Sequence, residues 1–364
     1  MYEYYIVASS SWVRKIRNRH HRLAEHLIHD QRTAKVFWLY NMFDAVTDQI
    51  VKRFDSSNKM ISVGISSPNW AETIKPLDFV TMLNGNSDTK KILWYTTPEI
   101  LWQLSSISIW DNIVYDCSNL WFKAPWEKYP NELLSVETEV AKNSKVLFAT
   151  SGYLADHLDG ISKKRPLIIE NGVDFKAFQT PKMMDYIGLE NVPAPRIGFL
   201  GSVNPKINLD LIYEVAKVMP DVSIVLVGPI KNVAKENIDR LKICSNIYCF
   251  DALEALKIPS ILNLLDVGLL PYADIEYNKA VSPLKFFEYL ASGIPIVGCG
   301  VPETKKFSED GIYYYTDGNA IEFAEVCKKA LQVCKNEELI KKRKMLAKER
   351  DWENIFHQML EQVI

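Results

Sequence analysis

The sequence lacks several features that mark large classes of protein. Its apolar runs are too short to span a bilayer, and no charged segment precedes the opening run as in a signal peptide. It has no C-x-x-C pair and no Cys/His cluster with metal-ligand spacing. We therefore expect its six cysteines to be buried thiols in a reducing compartment, with the cytoplasm as the default location.

Other absences narrow the possible ligands. No G-x-G-x-x-G follows the first apolar run and no P-loop is present, which argues against a dinucleotide-dependent dehydrogenase. No D-x-D motif for a divalent metal stands out. The 43 basic residues nearly balance the 45 acidic ones, so bulk charge favours no particular partner and we expect no nucleic acid.

What is present is a chain of 364 residues, 48% hydrophobic and 24% charged, which is the composition and length of two globular domains. Short apolar runs alternate with helix-length periodic segments, which predicts an α/β protein with parallel sheets in doubly wound domains. The predicted strands are YYIVAS, AKVFWLY, KILWYTT, NIVYDCS, KVLFATS and RPLIIENG in the first half, and RIGFLGS, VSIVLVGP, NIYCFD, VGLLPY and IPIVGCG in the second. The Pro-containing stretch VDFKAFQTPKMMDYIGLENVPAPR is the best linker, so we predict domains at 1–179 and 180–349.

The segment NKAVSPLKFFEYLASGIPIVGCG, residues 278–300, poses an electrostatic question. Ser282 and Pro283 fit the N-cap and first turn of a helix. Lys285 then falls in the first turn, where the helix dipole disfavours a cation. A bound phosphate at the helix N-terminus would reverse that preference. Glu288, one turn further, has the right chemistry to accept hydrogen bonds from ribose hydroxyls, although an exposed Lys/Glu ion pair is the simpler alternative.

The motif SPLKFFEYLASGIPIV resembles the donor-binding signature of GT-B glycosyltransferases, particularly those of families 1 and 4. The resemblance extends to IIENGVDFKAF, to IGFLGSVNPKINLDLI, to LLPY and to the closing DWENIFHQMLEQVI, and so covers nearly the whole chain. It implies a GT-B fold of two Rossmann-like domains facing a central cleft. The first would bind the acceptor and the second a nucleotide-sugar donor, and a C-terminal helix at about 350–364 would pack back onto the first domain.

The resemblance also implies roles for individual residues. Lys285 and the helix N-terminus would hold the donor diphosphate, and Glu288 would hold the ribose. Backbone N–H groups after RIGFL would approach the phosphates because glycine lacks a Cβ atom. The expected donor-binding residues are Gly201, Ser202, Ser282, Leu284, Lys285 and Glu288. The alternatives are a simple strand-end turn at Gly201 and an ordinary Asn-Gly turn in ENGVD.

The sequence departs from the family at Ala280, eight residues before Glu288, where many retaining members carry a Glu close to the transferred sugar. Either the enzyme inverts the anomeric centre, or other groups such as Asn278, Ser282 or the backbone around Val281 hold the sugar. The stereochemistry therefore stays open. The SPLK form with a small residue at that site resembles the transferases of polysaccharide and teichuronic-acid-type synthesis.

An inverting transfer needs a base for the acceptor hydroxyl, whereas a retaining one need not have a protein base. Asp116, at the end of NIVYD, is the first catalytic candidate, and a role in capping or orienting a loop is an equal alternative. His20 and His21 in RNRHHR come second, with His21 included among the predicted catalytic residues. A position on a helix surface is the alternative for both histidines.

Two further segments bear on the acceptor and on the membrane. WVRKIRNRHHR has five cationic residues among eleven beside Trp12, and SNLWFKAPWEKYP carries Trp121, Phe122 and Trp126. Basic and aromatic residues together suit an anionic acceptor or a membrane surface. A solvated helix face and core packing are the alternatives. Similar enzymes often extend lipid-linked glycans, so we predict a glycan or lipid-linked acceptor and peripheral contact with the inner face of the plasma membrane.

The leading interpretation is a cytoplasmic hexosyltransferase-type enzyme that moves a sugar from a nucleotide donor to a cell-surface glycan precursor. We expect the nucleotide base to bind near YCFDALEALKIP and to be uracil, because UDP-sugars are common among similar enzymes. We expect no cofactor and no metal, since Lys285 and a helix dipole would neutralise the leaving diphosphate. A nucleotide-sugar 2-epimerase of the same fold and a non-catalytic nucleotide- or glycan-binding protein remain alternatives.

Overall fold

The computed structural model describes residues 1–12, 18–41, 49–54, 59–66, 88–180 and 188–364. These residues form two compact units, the first made of 1–170 with 355–364 and the second of 171–354. Each unit contains its own sheet with helices beside it, which agrees with the predicted α/β class.

The first unit contains an eight-stranded sheet in the order β3-β4-β2-β1-β5-β6-β7-β8. All its neighbouring pairs are parallel except the antiparallel pair of β3 with β4. The strands are β1 Tyr2–Ala8, β2 Thr33–Asn41, β3 Gln49–Phe54, β4 Met60–Ser66, β5 Lys90–Tyr95, β6 Asn112–Cys117, β7 Val146–Ala149 and β8 Leu167–Ile168. Within the described residues of this unit, the α-helices are α1 Arg19–His29, α2 Pro130–Asn143 and α3 Gly152–Ser162.

The second unit contains a parallel sheet of six strands in the order β11-β10-β9-β12-β13-β14. The strands are β9 Arg196–Leu200, β10 Ser223–Val227, β11 Ile247–Phe250, β12 Val267–Pro271, β13 Ile296–Cys299 and β14 Tyr313–Tyr315. The α-helices that begin in this unit are α4 Phe175–Gln179, α5 Leu209–Val218, α6 Lys235–Ile243, α7 Ile258–Leu262, α8 Glu276–Lys279, α9 Leu284–Ser292, α10 Ala320–Val333, α11 Glu337–Glu349 and α12 Trp352–Leu360. Short 3₁₀ turns occur at Trp102–Ser106, Trp121–Lys123, Leu189–Asn191, Ala255–Lys257 and Pro302–Phe307.

The strands form where the sequence offers continuous apolar runs rather than alternating ones. In β1 the side chains from Tyr4 to Val7 are completely buried, as expected for a central parallel strand covered on both faces. The helices bury one stripe instead, as in α5, where Leu211, Ile212 and Val215 are buried. The predicted strands are confirmed, whereas β3, β4 and β14 had not been predicted.

The boundary between the units differs from the predicted one near residue 180. Residues Asn171–Asn354 belong to the second unit, and hydrogen bonds hold α4 within it. The backbone N–H of Phe175 donates to Asp351 Oδ2 at 3.0 Å, and Gln179 Nε2 donates to the carbonyl of Ala291 at 3.2 Å. The linker composition identified the region of the boundary but not the residue at which the chain joins the second core.

The C-terminal residues 355–364 belong to the first unit. Phe356 and Met359 are buried there, and Asn112 Nδ2 donates to the carbonyl of Val363 at 2.9 Å. These contacts bury the apolar face of the last part of α12 against the first unit's own residues.

The cysteines are only partly as expected. All six are free thiols, but Cys249 is exposed and Cys244 and Cys334 are half-buried. Burial raises the pKa of the Cys299 thiol to about 12. The expectation that every cysteine is buried was wrong for the three in the second unit that lie near the edge of its sheet or at a helix end.

Candidate functional site

The second unit's sheet reverses its strand order between β9 and β12. From β9 the chain proceeds outward to β10 and β11, and from β12 it proceeds outward the other way to β13 and β14. In open parallel sheets, ligands bind beyond the carboxyl ends of the strands at such a reversal. The loop after β9 begins at Gly201, and the chain after β12 passes through the short helix α8 before it enters α9.

The loop after β9 lies very close to the backbone that follows β10, where Gly201 meets Gly228. A Cβ atom on Gly228 would lie 2.1 Å from the carbonyl oxygen of Gly201, so the two loops can meet only without a side chain there. A Cβ atom on Gly201 would lie 3.0 Å from the ring of Phe199 and 3.6 Å from Lys285 Cε. The Gly201 backbone and the Lys285 side chain, predicted from separate motifs, are therefore neighbours. Ser202 Oγ donates to the carbonyl of Pro229 at 3.4 Å.

Lys285 and Glu288 form an ion pair in the structure. Lys285 Nζ lies 3.0 Å from Glu288 Oε2, with 21% and 17% of the two side chains exposed. The ion pair proposed as the simpler alternative is therefore present, although both side chains are partly buried. Both groups remain accessible to an anion and a hydroxyl, so the pair is compatible with a donor site as well.

Helix α9 begins differently from the prediction. Its N-cap is Pro283 with an extended backbone, no side chain caps the helix, and the first turn, which starts at Leu284, has no acidic residue. Ser282 is not the cap because Asn171 engages it: Ser282 Oγ accepts from the backbone N–H of Asn171 at 3.3 Å, and its carbonyl accepts from Asn171 Nδ2 at 2.6 Å. The first N–H groups of α9 thus receive no side-chain acceptor from the cap residue, and an anion can take that role.

Tyr289 holds α9 against both strands at the reversal. Its hydroxyl accepts from the backbone N–H of Leu200 at 3.1 Å and lies 3.3 Å from the carbonyl of Leu269. A Cβ atom on Gly268 would lie 2.5 Å from the Tyr289 ring, so glycine is needed for the helix to approach β12. This packing fixes the direction in which Lys285 and Glu288 leave the helix.

Sequence reasoning missed one cation and misjudged one asparagine at this site. Lys206, in the loop after β9, is half-buried, and desolvation lowers the pKa of its ammonium. Its ammonium lies 5.4 Å from the centre of the Tyr277 ring. The sequence predicts for Asn171, in the ENGVD motif, only an Asn-Gly turn or a part of the family resemblance. In the structure its side chain donates to the carbonyl of Ser282, in the segment that precedes α9. In the sequence, Lys206 could have been noticed because it follows Gly201 closely. The contact of Asn171 with Ser282 can be recognised only in three dimensions.

The first unit places the predicted catalytic Asp116 in an ion pair. Asp116 is fully buried at the end of β6, and Arg19 Nε donates to its Oδ2 at 2.9 Å. Arg19 also donates to the carbonyl of Glu170 at 2.9 Å and to Met359 Sδ at 3.3 Å. The other carboxylate oxygen, Asp116 Oδ1, is buried without a hydrogen-bond partner among the described residues. Asp116 therefore does not cap a helix, and one of its oxygens has no assigned structural role.

The two histidines are buried, so the alternative of a helix surface was wrong. His20 is 6% exposed, and burial lowers its pKa to about 4 despite the charge of Asp116 nearby. His21 is 1% exposed and stacks on Trp12 with ring centres 5.8 Å apart. The whole first turn of α1 is buried, because Arg19, His20 and His21 are all covered there.

The position of the His21 proton follows from its neighbours. Asn18 Oδ1 accepts from two backbone N–H groups and lies 2.7 Å from His21 Nδ1, so that ring nitrogen carries the proton. His21 Nε2 lies 3.4 Å from the carbonyl of Ser11. A carbonyl oxygen can only accept, so this longer contact is a hydrogen bond only when Nε2 carries a proton.

The proposed basic and aromatic segments are only partly described. Residues 13–17 of the basic run lie outside the described residues. In the other segment Trp126 is 46% exposed, whereas the ring of Phe122 lies 5.2 Å from that of His157. Phe122 is therefore half-buried beside His157, whereas Trp126 is an exposed aromatic.

The described parts of the chain lack two features, a metal-binding cluster and a membrane-spanning helix. They contain no cluster of three or more His, Cys, Asp or Glu side chains placed to hold a metal ion. None of the helices in the described ranges combines the length and the apolar character that crossing a bilayer would need.

Comparison with known sequences connects this geometry to a family. Residues 194–333, in the second unit, match the family model described as Glycosyl transferases group 1. The chain is also 29% identical over 381 residues to TuaH of Bacillus subtilis strain 168, named as a candidate teichuronic acid biosynthesis glycosyltransferase. That alignment covers 98% of this chain and 95% of the relative.

Solved structures show the same fold at low identity. HepE from Anabaena, solved in complex with UDP and glucose, has a TM-score of 0.70 at 13% identity, and the match covers 99% of this chain and 98% of that one. Sucrose-phosphate synthase from Thermosynechococcus elongatus has a TM-score of 0.71 at 14% identity and covers 100% and 98%. The predicted GT-B fold is confirmed.

Proposed function

We propose that this chain, which is a glycosyltransferase of the GT-B fold resembling families 1 and 4, transfers a sugar from a UDP-sugar to a glycan or lipid-linked glycan acceptor in cell-surface polysaccharide synthesis. The observation that carries the donor assignment is the meeting of the Gly201 loop, Lys285 and the start of α9 at the strand reversal. The ammonium of Lys285, the free backbone N–H groups at the start of α9 and the dipole of that helix together suit a diphosphate.

Binding of the donor would separate the ion pair of Lys285 and Glu288 and give each side chain a new partner on the nucleotide. Lys285 turns from Glu288 to the diphosphate, and the carboxylate of Glu288 accepts from the ribose hydroxyls. As the bond between the sugar and the diphosphate breaks, negative charge grows on the leaving phosphate. Lys285 and the N–H groups of α9 are already in place to stabilise that charge, which lowers the barrier. We propose that this arrangement makes a metal ion unnecessary.

Uracil is the proposed base because the structural relative HepE was solved with UDP. The polysaccharide role rests on the relative from Bacillus subtilis, which is named for teichuronic acid biosynthesis. Synthesis on lipid-linked acceptors would take place in the cytoplasm at the inner face of the plasma membrane, and exposed Trp126 offers one contact for that surface.

For the acceptor we propose Asp116 as the base and His21 as the second candidate. Asp116 Oδ1 has no protein partner among the described residues, while Arg19 fixes the orientation of the carboxylate. In the tautomer with the proton on Nδ1, His21 Nε2 is the nitrogen that can accept one. An acceptor hydroxyl that loses its proton to either group becomes a stronger nucleophile for the anomeric carbon.

The test is a calorimetric titration with UDP, GDP, CMP and ADP. We expect UDP to bind and the others to bind much more weakly. Incubation with UDP-sugars and the membrane fraction of a teichuronic-acid-producing bacterium should then release UDP with transfer of the sugar. Tight binding of another nucleotide would replace uracil in the proposal, and binding of none would contradict the donor site.

A further inference from the structure

Strand β11 is an uncovered edge of the second unit's sheet. Among the described residues it pairs with β10 alone. The opposite edge, β14, is covered by a neighbouring segment: Glu309 and Tyr313 exchange backbone N–H to carbonyl bonds, both at 3.0 Å. No segment in the described parts of the chain forms such a bridge to β11. The two edges of this sheet therefore differ in whether their backbone can accept another strand.

The hydrogen bonds of β11 show which of its backbone groups point outward. The carbonyls of Asn246 and Phe250 accept from N–H groups of β10 and of the residue after it, at 2.8 and 2.9 Å. Since alternate residues of a parallel strand bond to the same neighbour, the backbone of Ile247 and Cys249 points away from β10. The N–H of Ile247 donates to the carbonyl of Cys244 at 3.2 Å. The Cys249 N–H, the Cys249 carbonyl and the Ile247 carbonyl have no backbone partner among the described residues.

The side chains of β11 do not protect this edge. Edge strands that face solvent usually carry a Lys, a Pro or a bulge, each of which prevents pairing with another chain. Strand β11 has the sequence IYCF and pairs with β10 without a bulge, so it has none of the three. Cys249 is exposed and the other three side chains are half-buried. Such an apolar and unprotected edge is typical of a strand that pairs with another strand.

The charges at the two ends of β11 favour a second copy of this chain in antiparallel orientation. Lys242, before the strand, and Asp251, directly after it, are both exposed. Burial raises the pKa of the Cys249 thiol, and the ammonium of Lys242 partly offsets that effect, so Lys242 lies near the strand. Antiparallel pairing brings the Lys242 end of one copy beside the Asp251 end of the other, twice. Parallel pairing would bring like charges together, which is unfavourable.

The exposed apolar side chains have the same symmetry. Ile243 and Leu256 are 76% and 68% exposed, and they are the most exposed large apolar residues of the second unit. One precedes β11 and the other follows it. Antiparallel pairing therefore brings the chain at Ile243 in one copy beside the chain at Leu256 in the other, again twice. Exposed apolar surface at a site of association is what a protein–protein interface needs.

We propose that β11 pairs antiparallel with β11 of a second copy about a two-fold axis at Cys249, so that the two second units share one continuous sheet. Each Cys249 N–H donates to the carbonyl of the other copy's Cys249, and each Ile247 carbonyl accepts from the Asp251 N–H of the other copy. A two-fold interface uses the same surface of both copies, so assembly stops at the dimer. This inference does not depend on the proposed function.

The first test is the mass of the protein by sedimentation velocity over a dilution series. We expect a dimer that dissociates on dilution. Cys249→Lys places two ammonium groups on opposite residues whose Cα atoms are about 5.5 Å apart, so we expect this variant to be a monomer. Met345→Lys is the matched control, because Met345 is 60% exposed on α11 of the same unit, and it should leave the dimer unchanged.

A second variant does not alter the strand. Ile243→Ser combined with Leu256→Ser changes only exposed side chains, so it should fold normally and raise the dissociation constant of the dimer by about 10-fold or more. Far-UV circular dichroism of every variant should match that of the wild type, which separates loss of the dimer from loss of the fold.

Cross-linking tests the position of the two-fold axis. A short bismaleimide, which joins two thiols by adding each across one of its double bonds, should link the wild type into a covalent dimer through the two Cys249 side chains. Cys249→Ser should keep the dimeric mass and lose the cross-link. Cys244 and Cys334 are half-buried in the same unit and remain in this variant, so they serve as internal controls.

Three results would overturn the proposal. A wild type that is monomeric at every concentration up to its solubility limit has no such interface. A dimer that persists in Cys249→Lys uses another surface. A cross-link that persists in Cys249→Ser joins other cysteines and contradicts an axis at Cys249.

Discussion

Replacement of Lys285 by alanine should separate ligand binding from stability. In the folded protein, Lys285 has two small and opposing effects on stability. Its ion pair with Glu288, at 3.0 Å and partly exposed, stabilises the helix by about 0.2–0.5 kcal/mol. Its position in the first turn of α9 opposes the helix dipole by about 0.3–1 kcal/mol. We therefore expect Lys285→Ala to leave the free energy of unfolding within about 0.5 kcal/mol of wild type.

The same substitution should strongly weaken nucleotide binding. A hydrogen bond between an ammonium and a phosphate contributes about 1.5–3 kcal/mol, which corresponds to a loss of about 10- to 150-fold in UDP affinity. Urea unfolding measures the first quantity, and calorimetric titration with UDP measures the second. Turnover should fall at least as much as affinity, because the charge on the diphosphate grows in the transition state.

Lys217→Ala is the matched control for this experiment. Lys217 forms the same kind of i,i+3 pair with Glu214 at 3.1 Å, on the surface of α5 in the same unit. Its loss should affect stability by a similar small amount and should not affect UDP affinity. Wild-type UDP affinity in Lys285→Ala would refute the phosphate assignment and leave the residue as a surface ion pair.

Three further predictions concern residues whose partners the structure revealed. Asn171→Ala should lower the free energy of unfolding by about 1–3 kcal/mol in urea, because the Ser282 carbonyl loses its donor; a change under about 0.5 kcal/mol would contradict that role. Asp116→Asn should lower turnover about 10²-fold or more while UDP affinity stays within a few-fold, and near-normal turnover would exclude it as the base. In the wild type, His20 takes up a proton between pH 6.5 and 4 when the chain is unfolded but not when it is folded, so the free energy of unfolding falls by up to about 3 kcal/mol at the acid end. His20→Asn should make the free energy of unfolding depend less on pH in this range. Parallel pH profiles of the two proteins would contradict the burial argument for His20.

The sequence carried enough information for the architecture and for the residues on which the proposed donor site is centred. Continuous apolar runs such as the one from Tyr4 to Val7 predict buried parallel strands from their composition alone. The spacing of Lys285 and Glu288 is likewise local, because residues three apart lie on one helix face whatever surrounds the helix. The Ala at position 280 could also be recognised as a departure without coordinates.

Other features depended on residues that are distant in the chain. Arg19 and Asp116 are 97 positions apart, and Asn171 and Ser282 are 111 apart. Asn278 is bonded to a loop 72 residues earlier, and that contact could not be recognised from sequence. Local periodicity fixes which residues share a face of a helix or strand, but the order and direction of the strands decide which faces and loops meet. The tertiary structure alone therefore decided which polar atoms have partners and which do not.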